Sequence, residues 1–309
     1  MKCPSWLWNI LLRRNWPKEF LHTDVLKGID WCAKNQTNLP VSDESPIFIF
    51  SAGWRSGSTL LQRLLNSNQN VLVWGEAYEF SFLLPHLAAP LAAFTKNPLD
   101  LTFLSRHLSR MPGELASVLT TKWIANLTPP VADLKRAHLA YLNTLFSTST
   151  VAAKRPRWGL KLVRGDATVA GYLRWLYPKA KILYLFRSPY ASYRSYLNVA
   201  AHGWYLYYPR YRVDGVVPFA VHWRHCMENF MASHQQLNAF MLSFESLTEG
   251  RALGPLQEYL DFQLDPATLD QKVDMQVERP PDLKGSDRWM IRFITGDMAK
   301  RHGYTAEKF

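Results

Sequence analysis

Positions 182–186 read ILYLF, five apolar residues without a polar interruption. A half-exposed strand would alternate apolar with polar residues, so an unbroken run of this length, followed at once by Arg187-Ser188-Pro189, is that of a strand covered on both faces. Strands of that kind belong to parallel sheets flanked by helices. Other segments repeat the theme. Strand patterns at 47–50 (IFIF), 71–74 (VLVW), 157–165 (RWGLKLVRG) and 239–247 (AFMLSFESL) alternate with helical patterns at 59–65, 167–178, 190–201 and 218–236. This alternation predicts an α/β domain with a mainly parallel sheet and a ligand site at the C-terminal ends of its strands.

The chain has 309 residues, 48% of them hydrophobic, enough to bury one substantial core. No linker-like block divides it. A single domain is therefore expected over 46–309, preceded by a lead-in at 1–45 that packs on the body. Residues 81–148 are rich in Leu and Ala but broken by Pro85, Pro90, Pro98, Pro112 and Pro129-Pro130, which predicts short helices inserted over the sheet. The apolar segment at 6–12 is shorter than the ~20 residues a bilayer span requires. Arg13 and Arg14 follow it instead of preceding it, unlike a secretory leader, so it reads as an amphipathic helix packed on the body. Cys3, Cys32 and Cys226 are too scattered for a disulfide framework or a zinc site. A cytoplasmic, reducing location with no transmembrane segment is expected, and the Asn35 and Asn126 sequons carry little weight there.

Lys and Arg number 36 against 25 Asp and Glu, a net charge of +11. The partner or substrate is expected to be anionic, whether nucleotide, nucleic acid or membrane surface. Two constellations narrow this. In SAGWRSGSTLL (51–61), Gly53 and Gly57 let the backbone turn tightly, so that its amides and the following helix's N-terminus can point at an anion. The Gly-Lys pair of a Walker loop is missing, and the positive charge sits inside the loop as Arg55. In LYLFRSPYASYRSYL (183–197), Arg187 leaves the buried strand and Ser195 follows eight positions later in the next helix. A planar guanidinium and a hydroxyl so placed suit one phosphate.

Together these stretches resemble the sulfotransferase family that uses 3′-phosphoadenosine 5′-phosphosulfate (PAPS). GWRSGSTLLQRLLN is similar to the family's 5′-phosphosulfate loop and ILYLFRSPYASYRSYL to its 3′-phosphate motif. The layout is nearest to the bacterial and the protein-tyrosine or carbohydrate-type members. The resemblance implies a three-layer α/β/α fold of the P-loop NTPase-like kind. It also implies that Arg55, Ser56, Gly57, Ser58 and Thr59 hold the 5′ end of PAPS, while Arg187 and Ser195 hold the 3′ end. LKGSDRWMIRF (283–293) resembles the C-terminal loop over the nucleotide, one residue shorter here, which implicates Lys284 and Gly285. SFESL (243–247) stands where many members have Tyr-Glu-Asp-Leu near the adenine, with Phe244 replacing the Tyr. Leu60 occupies the place of a Trp found in cytosolic members.

Transfer of a sulfonate to a hydroxyl needs a base for the acceptor and cations for the charge that grows on the sulfonate and the leaving phosphate. GEAYEF (75–80) offers Glu76, which resembles the family's Gly-Glu base, with Glu79 as runner-up. Lys161 in WGLKLV resembles the lysine that contacts the bridging oxygen in the protein-tyrosine branch, and Arg55 would add a second cation. His86, His107, His138, His202, His222 and His225 stand in no matching motif. No metal is expected. The acceptor class, whether carbohydrate, peptide tyrosine, lipid or small metabolite, is left open. The rival readings are a P-loop kinase or NTPase, with Glu76 or Glu245 as metal ligand, and a basic nucleic-acid binder built on the aromatic run at 203–212. On the favoured reading no nucleic acid partner is expected.

Overall fold

A computed structural model describes residues 22–36, 38–96, 129–201, 203, 206–208, 211–270 and 282–305. The expected N-terminal helix at 6–12, Cys3, His107, His202, the sequon at Asn126 and the middle of the predicted insertion lie outside these residues.

The main elements run in order α1 (His22–Asn35), β1 (Ile47–Ser51), α2 (Ser58–Asn66), β2 (Val71–Trp74), α3 (Leu83–Ala88), α4 (Val131–Leu142), β3 (Arg157–Leu162) and α5 (Ala167–Leu176). There follow β4 (Lys181–Phe186), α6 (Pro189–Ala201), β5 (Leu206–Tyr208), β6 (Tyr211–Val213), α7 (Val216–Ser233), β7 (Ala239–Ser243), α8 (Phe244–Thr248), α9 (Leu253–Leu260) and α10 (Gly285–Arg301). Five strands form one sheet in the order β2-β3-β1-β4-β7, every neighbour parallel, while β5 and β6 make a separate antiparallel ribbon. Phe50 of β1 pairs with Leu162 of β3 on one side and Tyr184 of β4 on the other. The three strands therefore end level, and the residues that follow them meet at one edge.

Alternation along the strands supplies both faces of the core. Ile47 and Ile49 of β1, Val71 and Val73 of β2, and Leu183 and Leu185 of β4 pack with Leu61, Leu64 and Leu65 of α2 and Leu256 of α9. Phe48 and Phe50 point the other way, with Trp158, Leu160, Ile182 and Tyr184, onto α5 and α7. One face is aliphatic and the other aromatic: the Tyr184 and Phe230 rings stack at 4.0 Å. The result is the expected three-layer α/β/α arrangement with a parallel sheet. Truncating a fully buried ring such as Phe48 to Ala would cost about 3–5 kcal/mol.

Local chemistry sets the boundaries. Asp166 caps α5, its carboxylate accepting from the Thr168 and Val169 amides. The helix stops before Pro178, because a residue preceding proline avoids the helical region, and Tyr177 has left it at φ −121°, ψ 85°. The segment 239–247, expected as one strand, divides. Ser243 Oγ accepts from the Ser246 amide and starts α8, so Phe244 and Glu245 stand on a helix at the strand's exit. The lead-in contains α1, which packs close to the helical turn at Ala89–Ala92. A Cβ on Gly28 would lie 1.8 Å from the Leu91 carbonyl oxygen, so only glycine fits there. Among the described residues no helix is long and apolar enough to cross a membrane.

Candidate active site

The loop from β1 to α2 takes positive φ at every second residue: Gly53 (84°), Arg55 (65°) and Gly57 (90°). Left-handed residues at this spacing can turn loop amides toward one concavity of the kind that suits an anion. For Arg55, which has a Cβ, this conformation costs roughly 1–2 kcal/mol. Ser56 is buried within the loop, its hydroxyl donating to the Gly53 carbonyl at 2.8 Å and the Ala52 carbonyl at 3.2 Å. Its side chain thus staples the turn. Gly57 leads into α2, whose first turn carries Ser58 and Thr59 and no acidic residue, leaving the positive end of the helix dipole uncompensated.

Arg187, just past β4, reaches this loop. Its Nη1 donates to the Arg55 carbonyl at 3.1 Å, and Arg55 Nε donates to Ser195 Oγ at 2.9 Å. The Arg187 guanidinium lies 4.3 Å from the centre of the Phe244 ring, which also packs against Gly57. Burial lowers the pKa of Arg187, and nearby Arg55 and Arg194 lower it further while Glu245 opposes them. Glu245 is engaged elsewhere: it accepts from the Ser188 amide at 3.1 Å and from the Tyr304 hydroxyl at 2.7 Å. Arg187 Nε is buried and has no hydrogen-bond partner among the described residues. A cluster of arginines with a buried, unspent donor suits a bound anion, which would supply the missing acceptor.

A second cluster adjoins the start of α2. Glu76 Oε1 lies 3.3 Å from Lys161 Nζ, and that amine donates to Thr59 Oγ1 at 3.4 Å. Glu76 Oε2 lies 3.0 Å from Arg164 Nη1, which also reaches Glu79 Oε2 at 3.1 Å. The two carboxylates differ in exposure. Glu76 keeps 29% of its side-chain surface, whereas Glu79 keeps 6% and accepts from the Arg164 amide at 3.0 Å. Burial raises Glu79 to about 7, against the pull of Arg164. Arg164 was not singled out by the sequence reading. Its only sequence signal is a cation three positions past Lys161 at the end of a buried strand.

Lys284 and Gly285 open α10 and are exposed; beside them Asp282 lies 4.0 Å from Arg194, and Leu283 packs with Tyr190 and Tyr193 of α6. His222 lies buried beneath Gly53, where burial pushes its pKa down to about 3 and leaves it neutral. His138 contacts the Tyr172 hydroxyl at 2.9 Å, His225 contacts Asn229, and His86 is exposed. Glu76 and Glu245, the carboxylates that a metal-dependent kinase would need, are bonded to the basic and hydroxyl groups named above. Among the described residues no three His, Cys, Asp or Glu side chains converge.

Residues 46–252 match the model of a family described as the sulfotransferase family. The matched stretch holds both loops, Glu76, Lys161, Arg187 and Ser195, and ends before Lys284. No curated protein matches the chain. Among solved structures, the chain is similar to the sulfotransferase domain from the Synechococcus PCC 7002 olefin synthase at 16% identity and a TM-score of 0.41, over 87% of this chain and 99% of that one. It is similar to sulfotransferase STF9 from Mycobacterium avium at 12% identity and 0.43, over 92% and 84%. The sulfotransferase domain from the curacin biosynthetic pathway gives 17% and 0.42, over 85% and 98%.

Proposed function

The chain belongs to the sulfotransferase family and transfers a sulfonate group, and from that premise we propose that it takes the group from PAPS and delivers it to an acceptor hydroxyl. The observation that carries the reading is the meeting of Arg55, Arg187 and Ser195 around a buried donor without an acceptor. Arg187 and Ser195 hold the 3′-phosphate. The amides of 55–59, with the Ser58 and Thr59 hydroxyls, hold the 5′ end. Lys284 and Gly285 close over the nucleotide from the start of α10. The whole of 46–309 acts as one domain around this site, with α1 packed on it.

PAPS supplies an activated sulfonate whose leaving group is already a phosphate. The chain's own groups do the rest. Glu76 is the half-exposed carboxylate of the pair, and it takes the acceptor's proton. Lys161, fixed between Glu76 and Thr59, places a cation where charge builds on the leaving oxygen, and Arg55 places another. Glu79 is too enclosed to meet an acceptor.

Calorimetry with 3′-phosphoadenosine 5′-phosphate tests the donor site, with binding expected. A flat titration at high ligand concentration would overturn the assignment. Screening hydroxyl compounds with sulfur-labelled PAPS then identifies the acceptor class.

A further inference from the structure

Taking Glu76 as the base leaves Arg164 and Glu79 without a task, although the fold commits unusual resources to them. The Arg164 side chain is 2% exposed. The Phe80 ring covers it at 4.2 Å and the Trp54 ring, from the anion loop, at 5.5 Å. One nitrogen, Nη1, is shared between Glu76 Oε2 and Glu79 Oε2. The backbone around the two acids is strained as well: Tyr78 (φ 59°) and Phe82 (φ 53°) are bulky residues held in the left-handed region. The strain brackets Glu79 and turns its carboxylate inward to Arg164. Apart from Glu79 and Arg164, the groups lining this spot are mainly apolar, among them Leu83 and Leu84 of α3 and Val169 of α5.

We propose that Arg164 and Glu79 are positioning residues that act through Glu76. Arg164 holds Oε2, which leaves Oε1 turned toward Lys161 and the acceptor, and Glu79 holds Arg164 by both its backbone amide and its side chain. A carboxylate free to rotate would spend most of its time paired with Lys161 in other geometries. A misplacement of about 1 Å costs on the order of 100-fold in rate. Lysine is a poor substitute for this arginine, because a compact ammonium lacks the delocalised plane that packs against the Phe80 and Trp54 rings while Nη1 meets both carboxylates.

The inference rests on the base assignment, and a mutant cycle separates the two. The assay follows sulfonate loss from sulfur-labelled PAPS to the fastest of a simple phenol, a hexose, a primary alcohol or water. Arg164→Lys should lower kcat on the order of 100-fold while leaving KM for PAPS and the 3′-phosphoadenosine 5′-phosphate affinity within about threefold. Glu79→Gln keeps an oxygen for the Arg164 amide and should give a smaller fall in kcat alone. In the Glu76→Gln background, Arg164→Lys should cost nothing more, since a residue that acts through Glu76 has no effect once that carboxylate is gone. If the two losses add, or if Arg164→Lys keeps the kcat of the unmodified protein, Arg164 has only a structural role and the inference fails. Wild-type turnover by Glu76→Gln would instead overturn the base assignment beneath it.

Discussion

Arg55 and Ser195 lie 140 positions apart in the chain and are joined by a 2.9 Å hydrogen bond from Nε to Oγ. This bond ties the anion loop to α6, and Arg187 locks the same loop from β4 through the Arg55 carbonyl. The proposed 5′ and 3′ sites are therefore one structure, and damage to the second should be felt at the first. Hydrogen bonds to charged groups contribute about 1.5–3 kcal/mol each. Ser195→Ala should weaken 3′-phosphoadenosine 5′-phosphate binding about tenfold, and Arg187→Ala about 100-fold or more. Calorimetry reads both. Unchanged affinity in Arg187→Ala would place the phosphate elsewhere.

Removing the proposed base should separate binding from chemistry. Glu76 touches Lys161 and Arg164 and none of the residues assigned to the nucleotide's 3′ end. Glu76→Gln should lower kcat by about 10²–10⁴, the usual worth of a general base, with nucleotide affinity nearly unchanged. Rapid turnover by this variant would return the role to another group.

Much of this was legible because the signals are local. The loop is defined by its own glycines, and Arg187 with Ser195 by a strand exit and one helical stretch. Arg164 was invisible for the opposite reason: its partners Glu76 and Glu79 lie 88 and 85 positions away, and only the β2-β3 pairing brings them together. Helix α1 lies inside the lead-in at 1–45, for which no helix at 22–35 is expected. Yet Val25, Ile29 and Cys32 recur at helical spacing and pack on the core, a pattern that would have found it. The helix at Phe244–Thr248 was read as strand because the apolar residues of 239–242 run straight into it, and the capping Ser243 was the sign of the change.

Two buried groups should give stability opposite dependences on pH. His222 titrates near 3 in the fold against an ordinary 6.5, so below 6.5 the unfolded chain binds a proton that the folded one refuses. Its contribution is complete above pH 6.5 and is lost as pH falls toward 3. Glu79 is raised from 4.5 to about 7, so its contribution is complete below 4.5 and is lost as pH rises to 7. Each slope is at most ~1.4 kcal/mol per pH unit. Thermal midpoints measured from pH 4.5 to 8 should show Glu79→Gln gaining on the parent protein as pH rises to 7. His222→Asn should gain on it as pH falls below 6.5. Curves parallel to the parent would refute the linkage, whatever their absolute level.

The tightest constraint on the anion loop is at Gly57. Its φ of 90° disfavours any residue with a Cβ, and a Cβ built there would lie 2.1 Å from Phe244 Cδ2. Moving the ring aside would sacrifice its contact with the Arg187 guanidinium. Gly57→Ala should therefore push Phe244 off Arg187 and distort the turn, lowering nucleotide affinity by more than tenfold. The two causes can be separated. Phe244→Ala alone removes a cation–π contact that is worth about 0.5–2 kcal/mol. Adding Gly57→Ala to that variant meets no ring, so only the backbone cost of roughly 1–2 kcal/mol remains. The second substitution should then be less damaging in the Phe244→Ala background than in the parent chain. Equal damage in both backgrounds would mean that the glycine is required for its φ alone and that Phe244 does not seat the loop.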